Sequence, residues 1–409
     1  NLFNLKAIPI VNENDTTATA EIKYGDNDRL AARVAQIIGA DTLIIFSDVD
    51  GLYNKSKKIV KNVHKIDKEI YSLVENKKNA YGSGGVLTKL DAAKICMNSG
   101  CNMFIANGKK NNPIKQIVNV PNFNEDSAYF FVEKQVNFGP RYISSKGWKK
   151  CGDYLIQTLK RYTANVNEQS TTYYTYDRKK HELRNIIAEF NPEKNNRILL
   201  CAHWDTRHVA DHDSIDINDP ILGANDGGSG TAVLLEIARQ LSIQDCNIGV
   251  DIILFDAEDY GQPENSPYPR QEHTWCIGSQ YWSKNPHKKD YHARYGILLD
   301  MVAGHDAIFK YESVSKFYAE RTLNKVWKAA SILGYGRFFQ YQITPEIIDD
   351  HYYINTLAKI PTIDIIEHDN KTKTGFNKYW HTHGDNMQNI SKKTLKAVGQ
   401  TVLHVIYNE

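Results

Sequence analysis

Gly223-Ala224-Asn225-Asp226-Gly227-Gly228-Ser229-Gly230 runs straight into Thr231-Ala232-Val233-Leu234-Leu235-Glu236-Ile237-Ala238. One carboxylate, that of Asp226, sits among four glycines just ahead of an apolar run at helical spacing. Glycine permits positive φ and lets a ligand or a second backbone come close, and the helix that follows holds the turn rigid. Such a turn at the mouth of an α/β sheet suits a metal-ligating aspartate. It suits an ordinary glycine-rich helix cap equally well, and the residues that converge on it decide between the two.

Outward from this turn, apolar strands end in acid or imidazole. Residues 197–201 lead into Ala202-His203-Trp204-Asp205, residues 250–255 into Asp256-Ala257-Glu258-Asp259, and residues 295–299 into Asp300. A late loop, Tyr379-Trp380-His381-Thr382-His383-Gly384-Asp385, adds a further imidazole. In an open α/β sheet such strand ends share one crevice, so residues distant in sequence meet there. Oxygen and nitrogen donors without thiolate suit a catalytic zinc that keeps an open position. Each residue taken alone reads as a cap or a satisfied polar group; the set points to a metal. Glu258-Asp259 is the most informative step. Adjacent carboxylates beyond a strand point in different directions, so one can bind metal while its neighbour handles protons.

The whole chain sets bounds on this reading. Its 409 residues are enough for two domains with separate cores. A net charge of +2 gives no electrostatic case for nucleic acid or for an anionic membrane surface. No apolar run approaches the length of a membrane span. The cysteines, Cys96, Cys101, Cys151, Cys201, Cys246 and Cys276, form no CxxC pair and read as buried thiols. The sequence opens at Asn1, without an initiator methionine or a signal peptide, so further sequence is expected upstream.

Ahead of residue 119 the pattern is again strand, helix, strand. Residues 5–11 and 42–46 read as buried strands, and a helix after Gly25-Asp26-Asn27-Asp28 carries Leu30, Val34, Ile37 and Ile38 on one face. Gly82-Ser83-Gly84-Gly85 opens a second helix near residues 88–98, and a strand follows at 103–106. A glycine turn opening a helix, with Lys89 just inside, is suited to phosphate. A plain loop fits the same residues, and the Walker A spacing is absent. Pro113 and Pro121 among asparagines mark a linker. The expected organisation is an α/β domain at 1–118, a linker at 119–126 and a second α/β domain at 127–409. In the second domain helices are expected at 127–138, 145–162 and 391–407, with further strands at 171–176, 184–190 and 361–366.

Two resemblances sharpen these expectations. The run AIPIVNENDTTATAEIKYGDNDRLAARVAQIIGADTLIIFSDVDGLY, followed by GSGGVLTKLDAAKI, resembles the C-terminal part of glutamate 5-kinase, of the amino-acid kinase family, over about residues 1 to 118. That enzyme makes glutamyl phosphate for proline biosynthesis. The resemblance implies that Asp15 and Asn27 contact glutamate. It also implies that Ser47, Asp48 and the stretch with Ser83, Gly84, Gly85 and Lys89 line an ATP site. The family's opening half, with its first phosphate loop, has no counterpart here. Phosphoryl transfer needs charge neutralised from several sides, so the segment is expected to be an inactive remnant, with ATP and Mg2+ relevant only if it functions.

From about Asp126 onward, LLCAHWDTR, ILGANDGGSGTAVLLEIAR, FDAEDYG, TWCIGSQYWS, LLDMV, IIDDHYYIN and YWHTHGDN resemble glutaminyl cyclases of the Bacteroidetes type. These are zinc-dependent glutaminyl-peptide cyclotransferases, acyltransferases that share an α/β/α mixed-sheet fold with the M28 aminopeptidases. The resemblance implies one zinc per chain held by Asp226, Asp259 and His381, with Glu258 as the proton shuttle. Asp300 and Asp350 would be the acids that support Glu258. Trp380 would be the indole that binds substrate near the metal, with His203 on the substrate side. Asp259 departs from the animal enzymes, which place glutamate there. The implied partners are peptides or proteins with N-terminal glutamine. Trp204 and Trp282 read as core packing.

The rival reading is an M28 zinc aminopeptidase, whose second metal would use His203, Asp226 and Asp300. A non-catalytic peptide-binding module is a third. The kinase-like segment stands where exported relatives carry a signal, so a genuine fusion implies a cytoplasmic enzyme and a misjoined frame an exported one.

Overall fold

The computed structural model describes residues 27–40, 42–54, 56–60, 63, 65–73, 84–109 and 120–409. It divides into two units, Asn1–Asn119 and Val120–Glu409. The strand expected at 5–11 lies outside the described residues, as do Asp15 and Ser83.

In the first unit, helix α1 (Asn27–Ile38) leads to strand β1 (Thr42–Ser47); after the short helix α2 (Lys68–Ser72), helix α3 (Gly84–Asn98) leads to strand β2 (Asn102–Asn107). β1 and β2 pair in parallel, Thr42 opposite Asn102 through Ser47 opposite Asn107. Small residues let the helices close on the strands: Ala32, Ala35, Ile45, Ala92, Cys96 and Cys101 form the core. The apolar face expected of α1 holds in part: Leu30 and Val34 are half-buried. Ala32 and Ala35 are buried, while Ile37 and Ile38 are exposed at the end of the helix.

The second unit takes in the chain from Val120. Phe123 is fully buried in its core, and Asn124 caps helix α4 (Glu125–Val136) by accepting from the N–H groups of Asp126 and Ser127. Helix α5 (Lys146–Leu159) and strands β3 (Val166–Tyr174), β4 (Lys180–Phe190) and β5 (Arg197–His203) follow, then helix α6 (Gly228–Ile243) and strand β6 (Gly249–Phe255). Helix α7 (Ile277–Lys284), strand β7 (Gly296–Asp300), strand β8 (Phe309–Glu312), helix α8 (Ser313–Ile332) and strand β9 (Phe339–Thr344) come next. Helix α9 (Asp350–Tyr353), strand β10 (Thr362–Ile366) and helix α10 (Lys392–Tyr407) complete the unit.

Six strands form one mixed sheet in the order β10-β7-β5-β6-β4-β3. The first four are parallel to one another, and β4 and β3 join antiparallel. The central strands are apolar on both faces, as a covered sheet requires. Ile198, Leu200 and Ala202 of β5 pack into the core shared with α4, α6, α8 and α10. Leu199 and Cys201 face the opposite layer, with Trp282 of α7 and Ile354. The alternation of side chains along a strand thus builds an α/β/α sandwich. Trp204 and Trp282 are fully buried, as packing residues.

The glycine turn before α6 is shaped by crowding. Gly227 has φ +77, and a Cβ there would stand 2.2 Å from the Asp205 carbonyl oxygen. Gly230 lies so close to β7 that a Cβ would meet the Leu299 carbonyl oxygen at 2.1 Å. Only glycine lets α6 start against the sheet this tightly, and that fixes Asp226 at the strand ends.

Candidate metal centre and active site

The parallel strands β5, β6, β7 and β10 all end on one side of the sheet, and the chain beyond each end carries the polar residues. Backbone hydrogen bonds aim them. Asp385 accepts from the N–H of Asn225 at 2.7 Å and of Asp226 at 3.0 Å. Asp205 accepts from the N–H of Glu258 at 3.0 Å and of Asp259 at 3.1 Å. Arg207 donates to the Asp259 carbonyl at 2.8 Å and pairs with Asp211. Asp211 Oδ1 in turn stands 3.1 Å from His381 Nδ1. Four non-glycine residues here adopt left-handed backbone: Ala257 (φ 53), Cys276 (φ 56), Met301 (φ 47) and His381 (φ 54). Conformations of this kind gather where surrounding structure holds functional side chains in place.

Asp226, Asp259 and His381 are brought together. His381 Nε2 lies 3.0 Å from Asp259 Oδ1 and 3.7 Å from Asp226 Oδ2. All three residues are at most 3% exposed, and Oδ2 of each aspartate is buried without a hydrogen-bond partner. Burial and the neighbouring Asp259 push the Asp226 carboxyl up to about 8. Burial opposes ionisation of Asp259 too, but the His381 ring facing it outweighs that and holds its pKa below the usual value. The His381 ring nitrogen faces an oxygen of each aspartate, and ligand atoms of Asp226, Asp259 and His203 also lie within 4.8 Å of one another; two carboxylates and an imidazole are the donor types of a zinc site. The residues fit the metal.

A cavity of about 950 Å³ opens over this set, lined by Asp226, Glu258, Asp259, Asp300, Trp380 and His381 among others. Burial, with Asp349 and Asp259 nearby, pushes the Glu258 carboxyl well above its ordinary value. Trp380 stacks on His381, with ring centroids 3.8 Å apart. Two expected residues fall elsewhere. His203 is 1% exposed and does not reach the cavity wall; it lies behind, its Nε2 3.1 Å from both Asp226 Oδ1 and Asp300 Oδ1. Asp350 is fully buried, and its neighbour Asp349 lines the cavity instead. Helix α9 starts between them, so the cap faces the cavity and the first helical residue turns inward. Oxygens of Asp349 and Glu258 and the Cys276 thiol lie within 4.8 Å of one another.

Trp275 was not among the expected residues. It lines the cavity, lies parallel to His381 at 5.8 Å, and carries the Arg207 guanidinium over its ring at 4.3 Å. A Cβ on Gly261 would stand 2.0 Å from this indole. The glycine in Asp259-Tyr260-Gly261 was the available signal, since it marks a surface that must approach something flat.

In the first unit, Ser47 ends β1 and bonds to the exposed Asp48 at 3.2 Å. Gly84 and Gly85 form the first turn of α3. Lys89 Nζ donates to Asp28 Oδ2 at 2.8 Å, beside Asn27 at the start of α1.

Comparison with known proteins follows the same division. The profile of peptidase family M28 matches residues 185–406, and that of the amino acid kinase family matches residues 1–107. The N-terminal part is similar to glutamate 5-kinase of Pelagibacter ubique (strain HTCC1062), 59% identical over 123 residues, which are 29% of this chain and 33% of that protein. The chain therefore spans about a third of the length of that curated relative. A Zn-dependent exopeptidase from Parabacteroides distasonis ATCC 8503 is 51% identical, with a TM-score of 0.70 over 71% of this chain and 100% of that one. A glutaminyl cyclase from Bacteroides thetaiotaomicron is also 51% identical, with a TM-score of 0.69 over 71% of this chain and 99% of that one.

Proposed function

Since the chain belongs to peptidase family M28, we propose that its second unit is a zinc-dependent glutaminyl-peptide cyclotransferase, which converts N-terminal glutamine of peptides to pyroglutamate and releases ammonia. The observation that carries this reading is the convergence of Asp226, Asp259 and His381 on one point, beside Glu258 on the cavity wall. The similarity to glutaminyl cyclases supports it.

Those three side chains would hold one zinc, which when bound supplies Lewis-acid polarisation of the side-chain amide carbonyl. The nucleophile, the α-amine, belongs to the same residue as the amide. The cavity therefore needs only to fold the glutamine into a near-attack geometry and exclude water. Trp380 and Trp275 supply flat apolar walls for that fold. Glu258 accepts a proton from the amine as its nitrogen bonds to the amide carbon. It delivers that proton to the departing nitrogen as the old C–N bond breaks. A carboxyl whose pKa is raised by burial is suited to both halves of this exchange. Asp349 takes the supporting position at Glu258 that the resemblance gave to Asp350. Asp300 holds His203, and His203 bridges Asp300 to Asp226 from behind.

A single ion is the reading because His203 Nε2, 3.1 Å from both acids, already spans the pair that a second ion would need. The first unit matches about a third of the length of a glutamate 5-kinase, and those residues by themselves offer only one side of a phosphate cradle. A coupled ATP assay with glutamate is expected to stay at background.

The deciding experiment is incubation with Gln-β-naphthylamide, followed by product analysis and metal analysis. Pyroglutamyl-β-naphthylamide, ammonia and about one zinc per chain are expected. Free glutamine with about two zincs per chain would replace this reading with an aminopeptidase. His381→Ala is expected to release the metal.

A further inference from the structure

Beneath the cavity wall, a second group of buried polar side chains surrounds Asp364 on β10. Asp349 Oδ2, both carboxylate oxygens of Asp364 and His351 Nδ1 are buried without a hydrogen-bond partner. One ligand-type atom from each of the three residues lies within 4.8 Å of the others. His351 Nδ1 is 3.8 Å from Asp364 Oδ2, too far for a direct hydrogen bond.

Glu312 fixes the far side of this group. Its carboxylate accepts from the N–H groups of Val314 and Ser315, each at 2.7 Å, from Ile347 N–H at 3.0 Å and from the Ser315 hydroxyl at 2.8 Å. Burial works against the ionised form, but the bond to His351 and these donors outweigh it and hold the pKa down to about 2. His351 Nε2 stands 3.0 Å from Glu312 Oε2. An acceptor-only neighbour places a ring proton on Nε2, and Nδ1 on the other side makes no hydrogen bond. His351 therefore makes no hydrogen bond to Asp364, and an ionised Asp349 would offer it no donor either.

Two carboxyl groups facing each other in a dry interior cannot both ionise. We infer that Asp349 and Asp364 share one proton, and that Asp364 is a positioning residue that holds Asp349 on the cavity wall toward Glu258. The groups facing Asp364 are Asp349 and His351 from α9 and its cap, Glu312 from β8, Asp300 from β7 and Cys201 from β5. Burial and Asp349 push its carboxyl well above the ordinary range. The pair carries one negative charge rather than two, which keeps Asp349 fixed without adding a second charge beneath Glu258. The kinetic consequence rests on the cyclotransferase reading; the shared proton does not.

The test is infrared spectroscopy of the full chain combined with kinetics and metal analysis. The wild type is expected to show a protonated-carboxyl C=O band at neutral pH that Asp364→Asn removes, because the asparagine amide donates permanently and leaves Asp349 ionised. Asp364→Asn should also lower kcat about tenfold with KM and zinc content unchanged, the low end of what an acid/base arrangement contributes. Should Asp364→Asn fail to fold, Asp349→Asn removes the same band and decides the point. The inference is overturned if neither variant changes the carboxyl region, or if Asp364→Asn loses an equivalent of metal, which would make the cluster an ion site. A missing pyroglutamyl product with the band difference intact would sink the functional reading and leave the shared proton standing.

Discussion

At the start of α3, Lys89 meets Asp28 at 2.8 Å, and Arg29 pairs with Asp91. Beyond the ends of β5, β6 and β7, by contrast, Asp226 and Asp259 each keep a buried oxygen that no donor reaches. Both regions are parallel α/β layers with a glycine turn opening a helix, and by motif alone they promise equally much. The difference lies in who satisfies the charge. In the first, opposite charges on neighbouring helices neutralise each other. In the second, like charges converge in a recess where water is scarce, and burying them uncompensated is costly. A cation or a proton must complete the arrangement.

The sharpest way to break this contrast is Glu258→Gln. It keeps the shape and the proposed metal donors and removes the proposed proton carrier, so turnover should fall by about two to four orders of magnitude with zinc retained. Normal turnover would mean that the converging acids do something else. A smaller effect is expected at Glu312, whose pKa is held from an ordinary 4.5 down to about 2. A depressed carboxyl contributes stability above its unfolded pKa and loses it as pH falls through the folded one. Acidification should therefore remove up to about 3 kcal/mol of stability between about pH 4.5 and pH 2, and Glu312→Gln should flatten that part of the curve. Urea unfolding at several pH values measures it.

Asp211→Asn tests whether the ring of His381 is steered from behind. It should weaken zinc affinity about 10- to 100-fold, as loss of an outer partner usually does, read by competition with a chelator. The smallest change belongs to the first unit. Lys89→Met breaks an ion pair that leaves each side chain about 15% exposed, and it should shift stability by less than about 1 kcal/mol. A large loss there would mean that this pair is not the self-contained feature described above.

Much of the second unit was legible because its chemistry sits where apolar runs stop. β5, β6 and β7 carry apolar runs up to their ends, so those ends, and with them His203, Glu258, Asp259 and Asp300, could be read off directly. Residues 301–360 were not legible in this way. β8 is four residues long, with Lys310 and Glu312 buried inside it, which hides the strand period. α8 is interrupted at Ala319, where φ is −138. Asp349 and Asp350 illustrate the limit of a local pattern. Adjacent acids at a helix start face opposite ways, and only the position of the cap decides which one meets the cavity. His203 looked like a pocket residue because it ends a strand, yet its neighbours draw it inward. In α1, Ile37 and Ile38 carried the apolar signal, while the smaller Ala32 and Ala35 made the closest packing.

The imidazole of His381 carries two indoles nearly parallel to it, Trp380 at 3.8 Å and Trp275 at 5.8 Å. An excited indole loses light to a cationic imidazole and responds differently when that ring's lone pair is engaged. The chain consequently has an optical gauge built into its centre. Stripping and restoring the ion should change tryptophan emission in a cuvette that contains no substrate at all.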